Sequence, residues 1–463
     1  MSYKFIIHRY MSIYNKKIED IQQIFNISNF NKHTYGEVNT DFILINKMLD
    51  MLPKNVFADK NKKWLDPCCG KGYFPIVLYF KLFKSLQKTI PNSLKRHNHI
   101  IENMIYIIEI NKEHIDELFE LFGEKANIIN DDFLNITNQK YDIIMGNPPF
   151  NVNGIVKVPT QKNISKKTDG KMIWGHFTLH AIDFLKENGF LVFITPSIWM
   201  KHDHFMYSKI LKYKIEKLNT MTNTETNTAF HGQAQTPTCY FLLKKQVNDD
   251  EKIYLYDKIT RKYISYNLLA SIPLFASSLF KKISHFITPN TKLKVKKTNM
   301  PSKKVLFSPI NKKNFPYKNI KTCKLNKLSP FLDINFSNIP CRYDKIPKIV
   351  MAHKMYGFPF YDEFGEYGIS NRDNYIIYGR EKIDMIKLQQ FFSTKTALYL
   401  FEGTRYRMKY LEKYVFDLIP DITKIENFPK IINDDTIANY FKFTQKEKDA
   451  IKTFHKKKYN FFI

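Results

Sequence analysis

Long apolar runs are missing from this 463-residue chain, and its cysteines are few. No stretch approaches the ~18 apolar residues of a membrane span. The N-terminal Met1-Ser2-Tyr3-Lys4-Phe5-Ile6-Ile7-His8-Arg9 lacks the apolar segment of a signal peptide. Five cysteines, an odd number without a Cys-x-x-Cys spacing, argue against a secreted disulfide scaffold and give a zinc site no support. No internal repeat is visible. These absences predict a soluble intracellular protein, in the cytoplasm of a microbe or of a virus-infected cell, with no membrane contact and no metal. Acidic residues are short as well. Between Asp257 and Asp333 there is no Asp or Glu, while 17 Lys or Arg residues occur. The whole chain carries a formal charge of +28, which favours a polyanionic partner. Part of that excess follows from a Lys-, Asn- and Ile-rich usage typical of AT-rich coding, so distribution is the better guide. Lys292, Lys294, Lys296 and Lys297 form the densest cluster. Such a run is either a solvated linker or, because Phe, Tyr, Ile and Leu are interleaved through the stretch, a folded basic surface that meets nucleic acid.

What is present is concentrated in two places. Tyr141-Asp142-Ile143-Ile144-Met145-Gly146 reads as a buried strand ending in a glycine turn, followed by Asn147-Pro148-Pro149-Phe150. Two prolines fix φ and remove two donors, so the carbonyls here are offered to a ligand and not to a sheet. An Asn side-chain oxygen beside a Pro carbonyl can accept both hydrogens of one amino group, and Phe150 offers a ring for a planar base. A lone tetrapeptide also fits a plain proline turn. Upstream, Trp64-Leu65-Asp66-Pro67-Cys68-Cys69-Gly70-Lys71-Gly72-Tyr73-Phe74 reads as a strand, a tight loop and the start of an apolar helix over about 76–86. Gly70 and Gly72 admit close approach of a ligand to the backbone and to the helix start. It is not a Walker loop, because no Ser or Thr follows the Gly-Lys pair. Cys68 and Cys69, inside the loop, read as small packing residues. Asp-Pro-x-x-Gly-x-Gly about 75 residues before Asn-Pro-Pro-Phe is far more specific than either motif alone.

Two acidic strand ends lie between them. Ile105-Tyr106-Ile107-Ile108-Glu109-Ile110 ends in an acid where such sheets hold a ribose diol, and the polar stretch 88–103 reads as an inserted loop lengthening the interval. Asn130-Asp131-Asp132-Phe133-Leu134 offers an acid for an adenine amino group, with an apolar wall beside it. Each acid taken alone is an ordinary solvated strand end; their order and spacing argue otherwise.

In this order the motifs resemble those of the N6-adenine DNA methyltransferases of the gamma class, over roughly residues 33–245. The resemblance implies an α/β fold, a Rossmann-like S-adenosylmethionine-dependent methyltransferase sheet, with a separate C-terminal target-recognition domain. The implied domains are a helical lead-in (1–32), the catalytic domain (33–248) and a basic DNA-recognition domain (249–463). S-adenosylmethionine is the implied cofactor, held by Thr40, Asp66, Pro67, Cys68, Gly70, Gly72, Glu109, Ile110, Asp132 and Phe133. Thr40 closes the family's N-terminal segment, although Asp41 stands where the family usually has Pro. Asn147, Pro148, Pro149 and Phe150 would form the catalytic turn. Residues 186–197 resemble the family's next strand with its preceding Gly turn. Residues 228–243 resemble its hairpin, in which Phe230 is either a second aromatic against the target base or a core phenylalanine. The implied partner is double-stranded DNA, with its target base flipped, and the type leaves room for a cognate restriction endonuclease; a monomer is expected. The polar segment 151–171 is expected to order over bound nucleic acid. In the C-terminal part, 348–352 reads as a strand and 385–400 as a helix. No nuclease triad is evident, since Asp421, Glu426 and Lys430 lack the Glu-x-Lys spacing. A methyltransferase for RNA or for protein glutamine, and a catalytically silent nucleic-acid-binding subunit, are the competing readings.

Overall fold

The computed structural model describes residues 12–21, 40–152, 171–234, 236–268, 270–325, 330–353, 357–406 and 411–454. Most of the expected lead-in, residues 33–39 of the N-terminal segment and 153–170 of the polar loop lie outside them. The chain divides into two compact units, one of residues 1–199 and 203–255, the other of 200–202 and 256–463.

The first unit is a doubly wound α/β sheet. Its strands are β1 (Trp64–Asp66), β2 (Ile105–Glu109), β3 (Asn127–Asn130), β4 (Tyr141–Gly146), β5 (Leu185–Pro196), β6 (Tyr213–Met221), β7 (Thr238–Val247) and β8 (Lys252–Asp257), and the division between units falls within β8. They lie side by side in the order β3-β2-β1-β4-β5-β7-β6-β8. β1 to β5 are parallel; β7 runs antiparallel between β5 and β6. Near-continuous apolar strands such as Ile143-Ile144-Met145 suit a sheet covered on both faces, and all three side chains are buried. The helices Tyr73–Ser85 and Phe42–Leu49 contribute Ile76, Val77, Leu78, Leu82, Ile45, Met48 and Leu49 to a core shared with Trp64, Ile107 and Val192. The stretch 88–103 differs from the inserted loop expected. It holds a helix, Ser93–His99, and a π turn, Ile100–Met104. Asn92 caps the helix by accepting from the Lys95 N–H, and the buried Arg96 anchors it, donating to the carbonyls of Ile90 and Pro91 and lying 4.1 Å from the centre of the Phe83 ring.

The second unit contains β9 (Lys262–Asn267), β10 (Lys296–Lys297), β11 (Phe307–Ser308), β12 (Tyr317–Leu325), β13 (Pro330–Ser337), β14 (Lys348–Ala352), β15 (Phe360–Asp362), β16 (Gly368–Ile369) and β17 (Asn374–Tyr378). Two four-stranded sheets, β10-β17-β14-β15 and β11-β13-β12-β16, share a core of Ile320, Cys323, Val350, Ala352, Ile369 and Ile376. A buried ion pair, Lys348 with Asp362 at 2.5 Å, ties β14 to β15. The helix expected over 385–400 is two, Lys382–Phe392 and Lys395–Gly403. Thr394 caps the second, its side chain accepting from the Ala397 N–H.

Candidate functional site

β1 ends at Asp66 and its parallel neighbour β4 at Gly146, so the two sequence motifs leave the same end of the sheet side by side. Strand order reverses between these two strands. In open α/β sheets that reversal opens a crevice at the carboxyl ends, where ligands bind. Space at 146 is tight. A Cβ there would lie 3.0 Å from Asp66 Oδ1.

The loop after β1 is built on left-handed glycines, Gly70 at φ 54° and Gly72 at φ 85°. Gly72 caps the helix Tyr73–Ser85, and a Cβ on it would strike Leu118 Cδ2 at 2.8 Å. Pro67 is buried, Cys68 half-buried and Cys69 buried, its Sγ turned to the Gly70 carbonyl at 3.3 Å. Glu109 holds the loop from the end of β2. Its Oε2 accepts from the Gly70 N–H at 2.7 Å and its Oε1 from the Asn111 N–H at 2.8 Å. Ile110, next in sequence, is 66% exposed.

Asp66 is 1% exposed. Its Oδ1 accepts from the Cys68 N–H at 3.2 Å, while its buried Oδ2 has no hydrogen-bond partner among the described residues. Burial pushes this carboxyl well above the usual carboxylate range. The Cys68 N–H pulls it down in part, and the charge of Glu109 adds to the rise.

Asn147 is half-buried, Pro148 buried, Pro149 exposed and Phe150 half-buried. Asn147 Nδ2 donates to Thr40 Oγ1 at 3.1 Å, which turns the amide oxygen away from Thr40. Thr40 is thus brought to the Asn147 turn, and Asp41 caps the helix Phe42–Leu49 by accepting from the Ile43 N–H at 2.7 Å. The Phe150 carbonyl accepts from the Ile173 N–H at 3.1 Å. Asn151 pairs with Met172, and the Val152 N–H donates to the Lys171 carbonyl at 2.8 Å. Residues 150–152 and 171–173 thus form one closed stem beside the turn.

Two aromatic residues lie deeper than a ligand-facing role requires. Phe133 is 1% exposed, packed against Phe177, His180 and Phe184, while Asp132 before it caps the 3-10 turn Phe133–Asn135 through the Leu134 N–H. Phe230 is 0% exposed within the hydrophobic core, so of its two expected places it occupies that of a core phenylalanine. A base could reach it only after the ring left the core.

Sequence reasoning passed over two residues that organise the site. Asn130 Nδ2 donates to the carbonyls of Glu109 and Ile110, clamping the end of β2. Asn111 caps the helix Lys112–Phe122, accepting from the Glu113 N–H. An Asn directly after an acidic strand end and before a helix is a legible cap signal.

Lys292, Lys294, Lys296 and Lys297 are all exposed. Lys296 and Lys297 form β10, an edge strand paired antiparallel with β17, so the segment belongs to a folded sheet and not to a linker. Lys296 Nζ donates to the Tyr378 hydroxyl at 2.5 Å, and Lys292 pairs with Asp417 at 3.3 Å. Asp421 is fully buried against Arg380 at 2.6 Å. Among the described residues no cluster of three or more His, Cys, Asp or Glu could hold a metal, and no helix is long and apolar enough to cross a membrane.

Residues 75–230, about a third of the chain, match a family model described as Eco57I restriction-modification methylase. No curated protein matches. Among solved structures the chain is similar to the type IIL restriction-modification enzyme MmeI in complex with DNA, at 14% identity over 86% of this chain and 70% of that one, TM-score 0.45. It is also similar to the type IIG restriction endonuclease BpuSI, at 12% identity over 94% and 63%, TM-score 0.44. A chain of a type I restriction-modification system aligns at 14% identity over 51% and 49%, TM-score 0.39. The chain spans about half the length of that last protein.

Proposed function

We propose that this chain transfers a methyl group from S-adenosylmethionine to the exocyclic N6 amine of adenine in double-stranded DNA. The carrying observation is the adjacency, at the reversal of strand order, of the Asp66–Gly72 loop and the Asn147–Phe150 turn. The match of residues 75–230 to a restriction-modification methylase model supports the same reading.

The residues present suit the cofactor. A fully buried carboxylate oxygen of Asp66 has no hydrogen-bond partner among the described residues, the left-handed Gly70 leaves open space at its Cα, and Ile110 presents an exposed apolar side chain beside Glu109. Asp66, Gly70, Gly72, Glu109, Ile110 and Asp132 would hold it, with Thr40 and the backbone of Pro67 and Cys68 completing the wall. S-adenosylmethionine supplies a methyl already activated on a cationic sulfur, so the protein's task is placement.

The poor reactant is the adenine amine, whose lone pair is delocalised into the ring. The Asn147 side-chain oxygen and the Pro148 carbonyl would accept its two hydrogens, localise the lone pair and stabilise the positive charge that develops on nitrogen. This is an oxyanion hole with the sign reversed. The Thr40 contact orients the Asn147 amide for that task. The base must leave the duplex to reach the turn, at a cost of a few kcal/mol. Stacking on Phe150, worth about 1–3 kcal/mol, offsets much of it. Lys292, Lys294, Lys296 and Lys297 would meet the phosphates, and a restriction endonuclease is a fitting partner for such an activity.

Incubating the protein with labelled S-adenosylmethionine and duplex DNA, RNA or a protein extract, followed by mass spectrometry of the product, tests the proposal. N6-methyladenine in DNA is the expected product. Label confined to RNA or to protein glutamine would keep the mechanism and replace the substrate. No label despite cofactor binding would favour a silent subunit.

A further inference from the structure

One residue engaged with the Asp132 turn lies outside both sequence motifs. His180 lies on the helix Trp174–Phe184. Its Nε2 donates to the Ile136 carbonyl at 3.0 Å, which closes the 3-10 turn Phe133–Asn135 from its far side. Its ring meets Phe133 edge-on at 4.7 Å between centroids and Phe184 at 4.6 Å. Asp132 caps the same turn from the near side. The short turn therefore has two anchors, the carboxylate that begins it and the imidazole behind it. The preceding residue of the same helix segment, Ile173, is bonded through its N–H to the Phe150 carbonyl. One helix thus touches the base-facing turn at its start and the Asp132 turn along its length.

We propose that His180 is a positioning residue for Asp132, setting the affinity of the site for the adenine half of the cofactor; this rests on the methyltransferase reading above. The physical ground is that a carboxylate on a three-residue turn has little intrinsic rigidity, and a ligand hydrogen bond loses strength steeply with misalignment. A neighbouring side chain that bonds the turn's backbone and packs under its aromatic residue fixes that alignment before the ligand arrives. His180→Phe keeps an aromatic ring but removes the Nε2 donor. His180→Gln keeps a donor of similar reach but removes the ring.

The test is calorimetric binding of S-adenosylhomocysteine to the full chain, beside binding of a duplex oligonucleotide and thermal unfolding. His180→Phe should weaken S-adenosylhomocysteine about tenfold, the loss of about one hydrogen bond's worth of alignment. Its duplex affinity should stay within about twofold of wild type, and kcat at saturating cofactor should be kept while KM rises. His180→Gln should recover most of the affinity. Unchanged binding in His180→Phe would overturn the inference. So would equal losses for both ligands together with a lowered melting temperature, which would make His180 a general structural residue. A wild-type chain that fails to bind S-adenosylhomocysteine at all would instead overturn the methyltransferase reading itself.

Discussion

Asp66→Asn asks what a fully buried carboxylate is for. The amide is nearly isosteric. Its Oδ1 can keep the Cys68 N–H bond, and its Nδ2 replaces the oxygen that has no partner among the described residues. Burial raises the folded carboxyl well above its unfolded value of 3.8. Above that value the unfolded chain has released the proton while the folded chain still holds it, so the folded state binds more protons. Wild-type stability must then fall as pH rises, by up to about 1.4 kcal/mol per unit, until the pH passes the folded value. The amide has no proton to lose. Near pH ~4 the two proteins should be similarly stable, and above it the variant should gain steadily. For a unit of this size 1 kcal/mol is about 2–4 °C, so the gap in melting temperature should widen by roughly 3–5 °C per pH unit within the window. The three tryptophans, Trp64, Trp174 and Trp199, are all buried in the first unit, so their fluorescence reports on its unfolding alone. The same variant should bind S-adenosylmethionine at least about tenfold more weakly, because a cationic ligand would draw the proton off Asp66 and the charge-assisted contact so formed, worth about 1.5–3 kcal/mol, is lost. A gap that does not change with pH would refute the burial argument, and wild-type cofactor affinity would refute the assignment of Asp66 to the site.

Asn147→Ala should reduce methyl transfer by about 10²–10³-fold, the usual cost of one charge-stabilising group, while S-adenosylhomocysteine still binds; near-normal turnover would remove Asn147 from the chemistry. Replacing Lys292, Lys294, Lys296 and Lys297 with Gln should flatten the plot of log affinity for duplex DNA against log salt by about 3–4, close to 0.9 per lost phosphate contact. An unchanged slope would leave β10 without a nucleic-acid role. Lys348→Met leaves Asp362 buried without its cation and should destabilise the second unit by about 3–5 kcal/mol. Far-ultraviolet circular dichroism should show that loss as a lowered unfolding midpoint.

Much of the site was legible because it is made of strand ends. A parallel strand buried on both faces announces itself as an apolar run, and the residue that breaks the run faces the crevice. Asp66, Glu109 and Gly146, which end β1, β2 and β4, stand out that way as candidates. The roles of Phe133 and Phe230 were not legible, because an aromatic after a polar turn looks the same whether it faces a ligand or the core. In a chain with 39 Phe and 28 Tyr, residue type does not discriminate. The segment 88–103 read as a loop from its polar surface. Asn92 caps the helix there, and the buried Arg96 ties it to the Ile90 and Pro91 carbonyls, contacts that no periodicity encodes. His180 was invisible for a related reason. Its partner, the Ile136 carbonyl, is a backbone atom 44 residues away. Contacts from a side chain to distant backbone leave no pattern along the sequence.

Like charges and burial coincide at one point of this fold. Asp66 and Glu109 end neighbouring strands, Asp66 level with Ile107 in the register, and both lie against the same glycine loop. Lys71, the cation within that loop, lies 3.9 Å from Glu117. It is therefore engaged by a helix carboxylate, and Asp66 gains no comparable ion pair from it. Two carboxylates, one of them with its ionisation suppressed by burial, are an expensive arrangement for a protein that has to be stable alone. It becomes economical if the occupant of the crevice carries positive charge, for the occupant then supplies the compensation that the loop lysine does not. A methyl donor with a cationic sulfur and an ammonium group fits that requirement, whereas a nucleotide triphosphate, bound elsewhere by glycine loops of similar outline, would meet repulsion here. The glycine loop alone does not choose between those ligands; on the proposed methyltransferase reading, the acids at the strand ends do.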